Sequence, residues 1–159
     1  MAREGLTGVA VRSATAADQD ATLDLIEELF EPPGVRPRGY TPERARLGVR
    51  YCIERSQADI LLAEVDGVII GLATVYVDFP SIRFGVRCYL QDLVVASASR
   101  GEGVGRLLLD AATSWARERG CSHLQLDSGL GRKDAHRFYL ANGMERDAFV
   151  FSRIVEGGP

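Results

Sequence analysis

The residues that build metal sites and disulfide frameworks are scarce in this chain, which has two histidines and three cysteines in 159 residues. Cys52, Cys88 and Cys121 form no CxxC pair and leave an odd count, so neither a metal site nor a paired disulfide framework is expected. Long apolar runs are missing too. No segment approaches the roughly 20 consecutive apolar residues that cross a bilayer, and no N-terminal apolar run resembles a signal peptide. Those absences point to a soluble, cytoplasmic protein with no membrane partner. Nor is positive charge in excess: the formal net charge is −3, which removes the general electrostatic argument for a nucleic-acid partner. Partners have to be read from sites.

What is present is ample core material. A hydrophobic content of 46% in a chain of this length fits one compact domain over residues 1–159 that buries its apolar surface without staples. "GVAVRSA" (8–14) reads as a short strand. Thr15 followed by Asp18 resembles a helix start, and the helix runs to about Phe30 with Leu25, Ile26, Leu29 and Phe30 on its core face. "EPPGVRPRGY" (31–40) breaks it, and Thr41 with Pro42 suits the cap and first position of a second helix to about Arg55. "DILLAEV", Asp66-Gly67 and "VIIGLATVYVDF" form an antiparallel hairpin, because Asp-Gly tolerates the positive backbone angles of a tight reversal.

"CYLQDLVV" (88–95) is a further strand, and a helix from about Val104 to Arg119 stops at Gly120. "SHLQLD" (122–127) follows too closely to be anything but a parallel return strand. A short helix from about Lys133 to Asn142 ends at Gly143, and "DAFVFSRIV" (147–155) is expected to close the sheet. The expected fold is therefore α/β, with a mixed sheet of six or seven strands and helices on both faces. No internal repeat or linker interrupts it.

Gly101, Gly103 and Gly105 cluster where a strand has ended and a helix begins. Backbone without side chains can turn sharply there and present N–H groups to an anion, helped by the helix dipole. The triphosphatase loop is excluded, because Gly105 is followed by Arg106 and Leu107 rather than by Lys and Ser or Thr. A dinucleotide fingerprint starts at Gly101 and Gly103 but has Arg106 where its third glycine belongs, and with an antiparallel hairpin before it, it stays a minor alternative.

Two motifs carry a resemblance. "RGEGVG" places Arg100, Gly103 and Gly105 in the pattern Arg or Gln, two residues, Gly, one residue, Gly or Ala. "DAHRFYLANGM" places Ala135, Phe138, Tyr139, Gly143 and Met144 in the pattern Ala, two residues, Phe-Tyr, then Gly and an apolar residue. In this order the chain resembles the GCN5-related N-acetyltransferase (GNAT) family over nearly its whole length. The resemblance implies a single acetyltransferase-type domain whose sheet is mostly antiparallel, with a splayed parallel pair.

It further implies acetyl-CoA as acyl donor, with its diphosphate at Arg100, Gly101, Glu102, Gly103, Val104, Gly105 and Arg106. The main chain of Leu93, Val94 and Val95 would meet the pantetheine arm as an added strand would. Arg132, where many relatives carry Asn, is counted with the cofactor-binding residues. The implied activity is direct transfer of the acetyl group to a primary amine of a small molecule or protein. A non-catalytic acyl-CoA sensor with the same cleft is the alternative, because Gln91 stands where several relatives have a glutamate.

By the same resemblance Tyr139 is the general acid for the departing thiolate. Asp92, the nearest carboxylate, is the candidate base, and strand alternation is expected to turn it away from Gln91. Cys121 and His123 share a strand face without an activating environment, and His136 is expected to face solvent. Arg36, Arg38, Arg83 and Arg87 lie in loops where relatives build the acceptor pocket, and would suit an anionic acceptor. Homodimerisation through the last strands, common among relatives, is a further expectation.

Overall fold

The computed structural model of the chain describes residues 7–153 and 155. Residues up to Leu126 form one unit and residues from Asp127 a second. In the first unit, strand β1 (Ala10–Ser13) leads through a single 3-10 turn, Ala16–Asp18, into helix α1 (Gln19–Glu28), and helix α2 (Pro42–Glu54) follows. β2 (Ala58–Val65) and β3 (Val68–Val77) are joined at Asp66 and Gly67, with φ of 48° and 78°, as the Asp-Gly pair predicts. β4 (Arg87–Val95), helix α3 (Val104–Glu118) and the short β5 (His123–Gln125) complete the unit.

The sheet order is β1-β2-β3-β4-β5, antiparallel except for the parallel β4–β5 pair. Its two faces carry different helices. Leu25, Val49, Ile60, Leu62, Leu72 and Val94 cluster on the side of α1 and α2. Gly71, next to Leu72, faces the other way, where a Cβ would meet Leu108 Cδ1 at 3.0 Å and Val104 Cγ1 at 3.3 Å. Glycine at 71 lets α3 lie close to β3, and the helix in turn buries Leu108, Ala112 and Trp115.

The second unit contains α4 (Lys133–Ala141), ended by Gly143 at φ 82°. Among the described residues the expected closing strand at 147–155 does not form: the sheet has five strands, not six or seven. Residues 145–153 enter no ladder, and Ile154 lies outside the described residues. Alternating apolar residues give strand propensity, but a strand exists only through hydrogen bonds to a neighbour. Phe149, Val150 and Phe151 are accordingly exposed. β5 is also shorter than the expected 122–127, since its ladder with β4 ends at Tyr89↔Gln125. Among the described residues no helix is long and apolar enough to cross a membrane.

Candidate active site

The chain leaves β4 at Val95, makes a 3-10 turn at Ser97–Ser99 and enters α3 through residues 100–103. Gly101 and Gly103 have φ of 81° and 92°, a region that costs other residues roughly 1–2 kcal/mol. Gly103 is the N-cap, and no side chain caps α3 or places an acid in its first turn. The first intrahelical bond runs from Leu107 N–H to Gly103 O at 3.1 Å. The amides of Val104, Gly105 and Arg106 are thus outside the helix's own ladder and form the positive end of a fifteen-residue dipole.

Arg100 braces this turn. Its Nε donates to Val95 O at 2.9 Å and its Nη2 to Glu28 Oε2 at 3.1 Å, the same oxygen that accepts Ser97 N–H at 3.0 Å. Glu28 therefore ties α1 to both ends of the turn. Arg106 lies on the exposed side of α3, 3.8 Å from Asp110, and Glu102 is exposed.

Beside the turn, β4 has an open edge. Ala96 N–H bonds Ile70 O at 2.9 Å, so alternation directs the N–H and C=O of Leu93 and Val95 away from β3. Past Tyr89↔Gln125 no strand among the described residues pairs with that edge. Val94 is different: its main chain is turned to β3 and its side chain is buried with Leu62 and Leu72. Main-chain contact to a ligand at this edge falls to Leu93 and Val95.

Gln91 and Asp92 do not sit on opposite faces, as simple alternation would have them. The register passes from Thr74↔Asp92 to Val75↔Leu90, which leaves Gln91 as the extra residue of a β-bulge. The bulge shifts the phase of β4, so both side chains point to the α2 side. Gln91 lines a cavity there with Cys52 and Thr74, and Asp92 is hydrogen-bonded by the Thr74 side chain. Burial raises the proton affinity of the Asp92 carboxyl, and the Thr74 bond offsets this only in part. The Cys52 thiol is pushed up by burial and then by the charges of Asp92 and Asp59.

The cavity holds about 390 Å³. Gly48, Tyr51 and Cys52 of α2 and Arg55, which ends that helix, recur along it at helical spacing, above Thr74 and Tyr76 of β3. Composition and motif reasoning did not single these residues out. The one local signal was Gly48, a glycine within a helical pattern.

In the second unit, Ala135, Phe138 and Tyr139 are half-buried, and the Phe138 and Tyr139 rings meet edge-on at 5.3 Å between centroids. Met144 N–H and Asn142 N–H both bond Tyr139 O at 3.1 Å, fixing the helix end. Arg132 is the N-cap residue of α4, and its N–H bonds Gly129 O at 3.0 Å. His136 is half-buried rather than solvent-facing. Its Nε2 lies 2.9 Å from the same carbonyl, which can only accept, so that nitrogen carries the hydrogen.

No thiolate nucleophile is assembled. Burial pushes the Cys88 thiol up to about 12 and raises Cys121 as well, while His123 Nδ1 is 2.8 Å from Ser122 Oγ. Three of the four loop arginines are engaged. Arg36 pairs with Glu27 and covers the Phe30 and Tyr40 rings, Arg87 bonds Asp78 at 2.8 Å, and Arg83 stacks 4.7 Å from the Phe84 centroid. Arg38 is exposed. Among the described residues no group of three His, Cys, Asp or Glu is placed to hold a metal ion.

Three likenesses bear on this arrangement. An uncharacterized N-acetyltransferase, YhdJ of Bacillus subtilis (strain 168), is 42% identical over 76 residues, which are 47% of this chain and 54% of that protein. The aminoalkylphosphonate N-acetyltransferase of Salmonella typhimurium (strain LT2) is 29% identical over 91% of this chain and 90% of its own. An aminoglycoside N-acetyltransferase solved in complex with CoA superposes with a TM-score of 0.79 at 19% identity, covering 92% of this chain and 94% of that one. With its uncapped, glycine-led α3 beside an open β4 edge, and with residues 22–144 matching the acetyltransferase (GNAT) family, the chain belongs to that family.

Proposed function

We propose that this acetyl-CoA-dependent N-acetyltransferase moves the acetyl group directly to a primary amine of a small molecule within a ternary complex. The observation that carries the donor half is the start of α3. Amides of residues 101–106 receive the diphosphate, with no side chain of the chain competing for them. Leu93 and Val95 bond the pantetheine arm along the open edge. The aminoalkylphosphonate N-acetyltransferase, which aligns over 91% of this chain, is named for a small amine, which favours a small-molecule acceptor. The whole chain acts as one acyltransferase domain. Its free cysteines suit the reducing cytoplasm.

An amine with a lysine-like pKa of about 10.4 is almost wholly protonated at neutral pH. Asp92, whose proton affinity burial raises, takes the first proton. The nitrogen then forms its bond to the thioester carbonyl, and an outward N–H of β4 stabilises the developing oxyanion. The C–S bond breaks with its electron pair on sulfur. The second amine proton reaches that sulfur through Tyr139, the general acid of the family pattern, leaving an amide and free CoA thiol.

The test is thiol release from acetyl-CoA across a panel of amines. Wild-type protein should release thiol with at least one amine. Tyr139→Phe should lower turnover by roughly 10²-fold while CoA affinity changes far less. An unchanged turnover number removes Tyr139 from the mechanism. Gln91 at the bulge, where a carboxylate would be the stronger base, favours the sensor reading instead. CoA binding with no thiol release on any amine would establish it.

A further inference from the structure

The cavity under α2 is not an accident of loose packing. Gly48 occupies the helix interior, where glycine is less favourable than alanine, and a Cβ there would meet nothing within 4 Å. Neither close packing nor a positive φ requires this glycine. What it does is keep a side chain out of the hollow it lines.

The hollow is also polarised. Thr74 and Gln91 lie at one end, with the Asp92 carboxyl held by Thr74. Cys52 senses that carboxyl, so α2 passes it near Cys52. Arg55, the residue that ends α2, lies three residues further on, and its carbonyl accepts Ala58 N–H at 3.2 Å. Tyr76 and its partner Ala58 lie two residues, roughly 7 Å, beyond Thr74 on the same course. The cation is therefore at the end away from Gln91.

Arg55 is held by its neighbour rather than by an acid. Its guanidinium lies 4.9 Å from the centroid of the Tyr51 ring, one helical turn back. Among the described residues it forms no ion pair, whereas Arg12, Arg36 and Arg87 each face a carboxylate. A planar donor fork, oriented by stacking and unmatched in charge at the wall of a hollow, is suited to a carboxylate, phosphonate or phosphate group. The volume of about 390 Å³ suits a small molecule.

We propose that this hollow is the acceptor site and that it selects small primary amines bearing an anionic group. The anion meets Arg55, the amine meets Gln91 next to Asp92, and Gly48 keeps the hollow open on the far side of Cys52. The proposal rests on the transferase reading above and names its substrate class.

The experiment compares 2-aminoethylphosphonate and β-alanine with ethanolamine and 1,4-diaminobutane, by thiol release from acetyl-CoA. Wild-type protein should favour the anionic amines in kcat/KM by roughly tenfold or more, the scale of a charge-assisted hydrogen bond. Arg55→Ala should abolish that preference by raising KM for the anionic amines, with CoA affinity and the KM for ethanolamine unchanged. Arg55→Lys should restore part of it. Gly48→Leu should lower kcat/KM for the anionic amines at an unreduced melting temperature.

Equal use of all four amines, or an Arg55→Ala variant with the same preference, overturns the proposal. Should no amine be acetylated although CoA binds, the transferase reading falls, and the pocket is judged without turnover. Alkylation of Cys52 at alkaline pH, read by peptide mass spectrometry against Cys121, should then slow several-fold with 2-aminoethylphosphonate in wild type but not in Arg55→Ala. An unchanged Cys52 rate overturns the pocket as well.

Discussion

Helices α2 and α3 begin in opposite ways. At the start of α2, Thr41 Oγ1 accepts Arg44 N–H at 3.2 Å, and Pro42 removes a donor that would otherwise need a partner. The 3-10 turn that leads into α1 is braced by side chains too: the Asp18 carboxylate accepts Thr15 N–H at 2.7 Å and Thr15 O–H at 2.9 Å, and pairs with both terminal nitrogens of Arg12 at 2.8 Å. α3 instead opens on two glycines with no side-chain cap. The start of α2 is capped by the chain itself, and Asp18 braces the turn that leads into α1. The start of α3 has neither and is left for a ligand, beside the open edge of β4.

That contrast predicts that changes at α3 act on the ligand and changes at the other two ends act on stability. Gly103→Val has the largest expected effect. A β-branched residue at φ 92° is strained, and its side chain occupies the approach to the amides, so CoA affinity should fall on the order of 100-fold by calorimetry. Retained affinity would break the comparison.

Asp18→Ala comes next, at about 2 kcal/mol of unfolding free energy in urea, the scale of charge-assisted hydrogen bonds, with CoA affinity unchanged. The pairing with Arg12 holds the Asp18 carboxyl well below the usual carboxylate range. A folded-state pKa lowered in this way stabilises the protein above the unfolded value of about 3.9, and the contribution is lost as pH falls below it. Wild-type stability should therefore drop more steeply than that of Asp18→Asn below about pH 4. Thr41→Ala is the smallest, about 1 kcal/mol of stability, again with no change in CoA affinity. A weakened CoA complex in either of these variants would show that the helix ends are not functionally distinct.

The same contrast explains what was legible in the residues themselves. The starts of α2 and α3 and the Asp66-Gly67 reversal depend on neighbours in sequence, and each lies where Thr-Pro, the glycine cluster and Asp-Gly indicate. Features set by the exact register between two strands were not legible. The bulge at Gln91 is a property of the β3–β4 register, and it turns Gln91 and Asp92 onto one face against the alternation of a regular strand. Residues 147–153 carry strand-forming side chains but have no ladder, for the same reason. The cavity beneath α2 was hidden because Gly48, Tyr51, Cys52 and Arg55 converge with Thr74 and Gln91 only after the sheet is assembled. Motifs identified the donor side, and the folded sheet was needed to find a candidate acceptor side.

The central claim is that the main-chain amides opening α3 hold the diphosphate of CoA, and backbone amide NMR during a CoA titration tests it most directly. The account predicts large, saturable shifts at residues 101–106 and at Leu93 and Val95, with Thr41, Glu43 and Arg44 at the start of α2 unmoved. Saturating CoA that leaves the amides of 101–106 where they were would contradict it.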